Sequence, residues 1–170
     1  MSIKVSKFGG TSLADATQIR KVIDILRSDA ERRFVVPSAP GKRHADDEKI
    51  TDLLLACHRM AENGEDTTDI FGYICGRYDR IASDLGLKAD LSSEYELIAR
   101  SLKRGASRDY LASRGEYLCG RLLALALNWE FVDPAEVILF DARGRFDPDC
   151  THEKLSARLR GARNAVIPGF

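Results

Sequence analysis

Residues 3–26, IKVSKFGGTSLADATQIRKVIDIL, decide the fold. Ile3 and Val5 alternate with Lys4 and Ser6, the period of a short strand. From Ala16 onward the apolar residues Ile19, Val22, Ile23 and Leu26 recur at helical spacing. Between the two lie Lys7, Phe8, Gly9, Gly10, Thr11 and Ser12, so the stretch reads strand, glycine turn, helix. Free backbone N–H groups and the positive end of a helix dipole converge at such a junction, which suits phosphate. The pattern is neither a Walker A loop nor a G-x-G-x-x-G fingerprint, because the lysine precedes the glycines. Adjacent glycines let the backbone approach a ligand closely and adopt positive φ. Lys7, at the strand's C-terminal end, would reach the same point. A glycine turn beside a solvated lysine accounts for the same residues, and spacing alone leaves both readings open.

Working outward, RRFVVPSAPGK predicts a second strand, Phe34–Val36, running into a loop marked by Pro37, Pro40 and Gly41. The next helix begins near Lys49, carries Ile50, Leu53, Leu54, Cys57 and Met60, and stops at Asn63-Gly64. Ile70, Ile74, Ile81 and Leu85 mark a further helix, and Ser93–Arg104 a shorter one closed by Gly105. SRDYLASRGEYLCGRLLALALNW is helical again, with a bend expected at Gly115. EFVDPAEVILF mixes strand and turn, THEKLSARLR is a last helix, and NAVIPGF a last strand. Strand–helix–strand at both ends, around a helical block, predicts an α/β sheet of parallel strands. The strand Ala165–Ile167 runs directly into Pro168-Gly169-Phe170. Parallel strands are normally followed by a crossover helix, so the chain is expected to be the front part of a larger protein.

The 170 residues, 44% hydrophobic and 31% charged, suffice for one domain with a real core. Lys plus Arg equals Asp plus Glu at 26 each, so no global field argues for nucleic acid or an anionic membrane. The start lacks the long apolar core of a secretory signal. The most apolar run, LCGRLLALAL, falls far short of the roughly twenty residues a span needs. Cys57, Cys75, Cys119 and Cys150 show no C-x-x-C spacing and are read as reduced thiols of a cytoplasmic protein. Cys57-His58 and Cys150 with His152 lack a second pair at zinc spacing, so no metal site is assigned.

Three further residues stand out. Ser38 ends the second strand and could face the same edge as Lys7, although the turn chemistry of Pro37 and Pro40 explains its surroundings equally well. Thr51 opens a helix. Glu116 sits in SRGEYL with Leu118, Cys119, Leu122 and Leu123 close behind, so it can be buried. A buried carboxylate needs a cation, and a ligand ammonium, Arg114 or Arg121 would serve.

KFGGTS, SAPGK followed by KITDLLL, SRGEYLCGRLLA and AVIPGF together resemble, in that order, the amino-terminal kinase region of the aspartokinases. The resemblance covers essentially the whole chain. It implies the amino acid kinase fold, a parallel αβα sandwich, here incomplete at its C-terminus and with no second domain in residues 1–170. It implies transfer of the ATP γ-phosphoryl to the side-chain carboxylate of L-aspartate, giving 4-phospho-L-aspartate, a step toward lysine, threonine and methionine. Lys7 resembles the family's catalytic, phosphate-contacting lysine. Phe8, Gly9 and Gly10 match its nucleotide-binding turn. Ser38, Thr51 and Glu116 match its aspartate pocket, with Glu116 toward the ammonium. The resemblance also implies that Mg²⁺ rides on the nucleotide and that the full-length enzyme is a cytoplasmic homo-oligomer. In the family, PGF precedes a glycine-rich segment supplying an arginine and an aspartate, so the 170-residue chain is expected to be the aspartate and phosphate half, inactive alone. Two alternatives stay open: a non-catalytic relative that binds a small anion or a partner chain, and another enzyme of the same fold.

Overall fold

The computed structural model describes residues 2–170. In chain order the elements are β1 (Lys4–Phe8), α1 (Ala16–Arg27), β2 (Arg32–Pro37), α2 (Ile50–Glu62), α3 (Thr68–Leu85) and α4 (Ser92–Lys103). There follow α5 (Arg108–Leu127), β3 (Glu130–Phe131), the short α6 (Pro134–Val137), α7 (Pro148–Leu159) and β4 (Ala165–Val166). The strands form one sheet in the order β1-β2-β4-β3, with every neighbouring pair parallel. The α/β class and the helical block between early and late strands are as the sequence predicts.

Alternation along the strands divides the core in two. Val35 of β2 and Val166 of β4, with the half-buried Phe8 and Phe131, face a large cluster built by α1 to α5. Phe34, Val132, Ala165 and Ile167 face a smaller one with Val137 of α6 and Leu155 and Leu159 of α7. Helices therefore cover both sheet faces. Strand β1 lies at the sheet edge, and its Ile3 and Val5 remain 55% and 65% exposed. Phe8, not the Ile3–Val5 pair that marks the strand in the sequence, faces the helical core. The strand extends through Lys7 and Phe8, so Lys7 sits near the C-terminal end of β1, as the sequence predicts.

Local signals set the helix ends. Asp15 caps α1 by accepting from the Gln18 amide at 2.9 Å, and the predicted stripe Ala16, Ile19, Val22, Ile23 and Leu26 is buried. Gly64 and Gly105 take φ of +74° and +75° where α2 and α4 stop. Helix α5 crosses the core without a break, and Leu111, Leu118, Leu122 and Leu123 are at most 1% exposed. Each such leucine contributes about 1.5–3 kcal/mol by leaving water. Gly115 does not interrupt α5; that glycine answers a packing demand, described below. All four cysteines are free, and burial pushes the Cys57 thiol up to about 11 and Cys119 to about 12. Among the described residues no helix is long and apolar enough to cross a membrane.

Candidate active site at the strand ends

Parallel strands deliver β1, β2 and β4 to one edge, the usual ligand edge of such sheets. Phe8 pairs with Pro37, and the Ser38 amide donates to the Phe8 carbonyl at 3.0 Å. The loop after β2 then folds back over the turn after β1, where the Gly41 amide donates to the Gly10 carbonyl at 2.8 Å. A Cβ at Gly10 would stand 2.8 Å from the Ala39 carbonyl oxygen, and one at Gly41 2.7 Å from the Gly10 carbonyl carbon. Both glycines are thus required by backbone lying on backbone.

That contact corrects the reading of the glycine turn. Neither Gly9 nor Gly10 adopts positive φ, and Gly9 is extended at φ −77°. A Cβ on Gly9 would meet nothing within 4 Å, so its bare backbone faces open space. The chain does not enter α1 directly either. A tight helical turn, Gly10–Leu13, comes first, and the N-terminus of α1 is already capped by Asp15.

A cavity of about 430 Å³ opens beside the turn, lined among others by Gly10, Ser38, Gly41, Lys49, Thr51 and Glu116. Lys49 is the residue before α2, whose first amides receive no side-chain cap. The Ile50 amide is taken by the Pro40 carbonyl, so Lys49 and the remaining first-turn amides of α2 are what this end of the cavity offers an anion. A second cavity of about 470 Å³, by His58, Glu62, Leu102 and Lys103, is lined by no residue of the strands or of the glycine turn.

Glu116 forms the opposite wall. A Cβ on neighbouring Gly115 would lie 2.8 Å from the Ala39 Cβ and 3.3 Å from Ile50 Cγ2. The missing side chain therefore lets α5 come down onto the Ser38–Gly41 loop and the start of α2. The buried Tyr78 hydroxyl of α3 donates to the Gly115 carbonyl at 2.7 Å. Glu116 Oε2 accepts from the Gly169 amide at 3.1 Å, joining α5 to the end of β4. Burial raises the Glu116 pKa above 4.5, opposed by the Gly169 amide, the charge of Lys7, the Phe170 amide and the Ser38 hydroxyl. The two arginines that could neutralise it are engaged elsewhere. Arg121 pairs with Glu94 at 2.9 Å and stacks on Phe131. Arg114 lies over the Tyr110 and Tyr117 rings and donates to the Ser113 hydroxyl. Among the described residues no Lys, Arg or His nitrogen comes within 4 Å of the Glu116 carboxylate.

The structure thus brings Gly10, Ser38, Thr51 and Glu116 to one cavity. Lys7 is exposed on the strand end nearby, where Glu116 feels its charge. Phe8 differs from expectation: its ring packs on the helical core and its carbonyl is taken by Ser38, so it supports the turn rather than presenting a side chain to a ligand. Sequence reasoning missed Gly41, Lys49, the packing role of Gly115, and Arg77, which is buried in α3 and donates to the Gly41 carbonyl. A signal for Arg77 existed: it falls within the apolar stripe Ile74–Ile81 of a helix.

The profile of the amino acid kinase family matches residues 2–168. Aspartokinase 3 of Bacillus subtilis is 34% identical over 99% of this chain and 40% of its own length. Lysine-sensitive aspartokinase 3 of Escherichia coli is 46% identical over 37% of this chain and 12% of its own. The crystal structure of Clostridium acetobutylicum aspartate kinase superposes with a TM-score of 0.95, at 48% identity, over all of this chain and 39% of that one. E. coli aspartokinase III in complex with aspartate and ADP gives 0.77 at 29% identity, over 99% of this chain and 41% of that one. The chain spans about 40% of the length of the Bacillus protein and of these two structures. With its parallel sheet and glycine turn, and a match over nearly every residue, the chain belongs to the amino acid kinase family.

Proposed function

We propose that this chain carries the aspartate- and phosphate-binding part of an aspartate kinase, which transfers the ATP γ-phosphoryl to the side-chain carboxylate of L-aspartate. The observation that carries the reading is Glu116: a carboxylate held in a cavity wall by burial, with both neighbouring arginines committed elsewhere. The substrate ammonium supplies the missing cation. Ser38, Thr51 and the uncapped start of α2, on the other wall, suit the substrate's carboxylate. The likeness to aspartate kinases supports the choice among enzymes of this fold.

The acceptor carboxylate has a pKa near 4 and is already ionised at neutral pH, so no general base is needed. Catalysis is then positioning plus cancellation of charge on the γ-oxygens. Lys7 and the open backbone at Gly9 suit the nucleotide phosphates, since nothing of the protein fills the space beside Gly9, whereas Gly10 is covered by the loop after β2. Mg²⁺ bound to the nucleotide would supply further charge neutralisation. Residues 1–170 form the amino-terminal part of a single kinase domain, in a cytoplasmic homo-oligomer. The test is trapping of the acyl phosphate by hydroxylamine, with the protein carrying this chain, ATP, Mg²⁺ and L-aspartate. Aspartate-dependent hydroxamate is expected. ATP turnover without aspartate, or equal turnover with L-glutamate, refutes the proposal.

A further inference from the structure

Residues 38–49, between β2 and α2, have no regular secondary structure, yet they and the α2 start supply Ser38, Gly41, Lys49 and Thr51 to the cavity. Their anchor comes from α3. The Arg77 side chain is 4% exposed. Its Nη1 donates to the Glu48 carbonyl at 2.7 Å and its Nη2 to the Gly41 carbonyl at 2.9 Å. Nη2 also reaches the Ala14 carbonyl, just after the glycine turn, at 3.4 Å. Asp47, 3% exposed, lies 3.6 Å from Arg77 Nη1. It accepts two bonds of 2.7 Å from the Arg43 guanidinium and one of 2.9 Å from the Arg43 amide, which closes the loop on itself.

We propose that Arg77 is a positioning residue of the aspartate subsite: bridging Gly41, Glu48 and Ala14 from behind, it fixes the loop that carries Ser38 and the α2 start opposite Glu116. Buried carbonyls need donors, and the planar guanidinium fork meets two carbonyls at once where an ammonium meets one. Tyr78, the next residue, donates to the Gly115 carbonyl beside Glu116. One turn of α3 thus holds both walls. Arg77 lies behind the cavity and not among its lining residues, so it acts through the loop.

The inference rests on the aspartate reading of the cavity, and its test separates the two. Arg77→Lys and Arg77→Met are made in the protein carrying this chain, with Tyr73→Phe as control, since the Tyr73 hydroxyl accepts from Arg43 Nη2 and bonds to none of the carbonyls that Arg77 serves. Amide hydrogen exchange at Gly41, titration with L-aspartate and with ATP–Mg²⁺, and melting temperature are measured. In Arg77→Lys, exchange at Gly41 rises at least tenfold. L-aspartate binds at least tenfold more weakly, while ATP–Mg²⁺ affinity stays within threefold. Arg77→Met moves further in the same direction, and Tyr73→Phe changes none of these. An Arg77→Lys protein that melts lower, with Gly41 exchange and L-aspartate affinity within twofold of the parent, overturns the proposal and leaves a structural ion pair. If the parent protein does not bind L-aspartate, the proposed function fails and Gly41 exchange alone decides the role of Arg77. If Arg77→Met does not fold, Arg77→Lys decides.

Discussion

Replacing Gly115 by alanine sets two known effects against each other. Alanine in a helix interior is favoured over glycine by about 1 kcal/mol. The new methyl, however, would lie 2.8 Å from the Ala39 Cβ and 3.3 Å from both Ile50 Cγ2 and Leu54 Cδ1, against a comfortable carbon–carbon separation of about 3.5–4.0 Å. Ala39 is fixed to the backbone of the cavity loop, so α5 or the loop must shift by most of an ångström. Overpacking of this kind costs about 1–3 kcal/mol, which leaves a net loss of up to about 2 kcal/mol after the helix gain. For a chain of this length each kcal/mol is about 2–4 °C, so Gly115→Ala should melt lower, by up to about 8 °C. The same substitution at Gly72 and Gly76 of α3, where a Cβ meets nothing within 4 Å, should stabilise by about 0.5–1 kcal/mol each. Thermal melts of the three variants side by side read this directly. A Gly115→Ala protein that melts higher, as the α3 variants should, would refute the claim that this glycine sets the approach of α5 to the loop.

Further predictions concern the chemistry. Lys7→Ala in an active protein should lower kcat about a hundredfold with a smaller change in the aspartate KM, because charge on the γ-phosphoryl develops only in the transition state; steady-state kinetics with each substrate varied checks this. The raised pKa of Glu116 predicts a pH dependence of definite sign. The folded state holds this proton more tightly than the unfolded chain. Its contribution to stability is therefore fully present below about pH 4.5 and is lost as pH rises through the folded-state pKa. An aspartate ammonium relieves that loss, so stabilisation by L-aspartate should grow with pH across the same window, and Glu116→Gln should flatten it. Melting curves with and without aspartate from pH 4 to 8 measure both; stabilisation that is flat with pH in the parent protein contradicts the assignment.

Much of the fold can be read from strong local signals: the Ile19–Leu26 stripe, the glycines after α2 and α4, and the apolar strands flanking the helical block. The site edge is legible as well, because Ser38 and Gly169 both follow strands that parallel pairing carries to the same place as Lys7. What escaped depends on contacts between segments distant in sequence. Gly10 looks like a residue chosen for its φ, yet it is required by the Ala39 carbonyl brought over it from beyond β2. Gly115 looks like a helix bend for the same reason. Arg77 falls within the apolar stripe of α3, but only the folded loop shows which carbonyls, those of Gly41 and Glu48, it serves. Arg114 and Arg121 share a helix with Glu116, but neither sits at the i±3 or i±4 spacing that would face it, and the Tyr110 and Tyr117 rings and Glu94 engage them instead.

The central claim is that Glu116 meets a substrate ammonium. Glu116→Gln keeps the shape and a hydrogen-bonding oxygen while removing the charge, and the decisive measurement is its L-aspartate affinity beside its melting temperature. Losing a charge-assisted bond worth roughly 1.5–3 kcal/mol should weaken aspartate binding about 10- to 150-fold, with the melting temperature preserved. An affinity within about twofold of the parent, with a lowered melting temperature, would show instead that Glu116 only ties α5 to the Gly169 amide, and the account of the substrate pocket would be wrong.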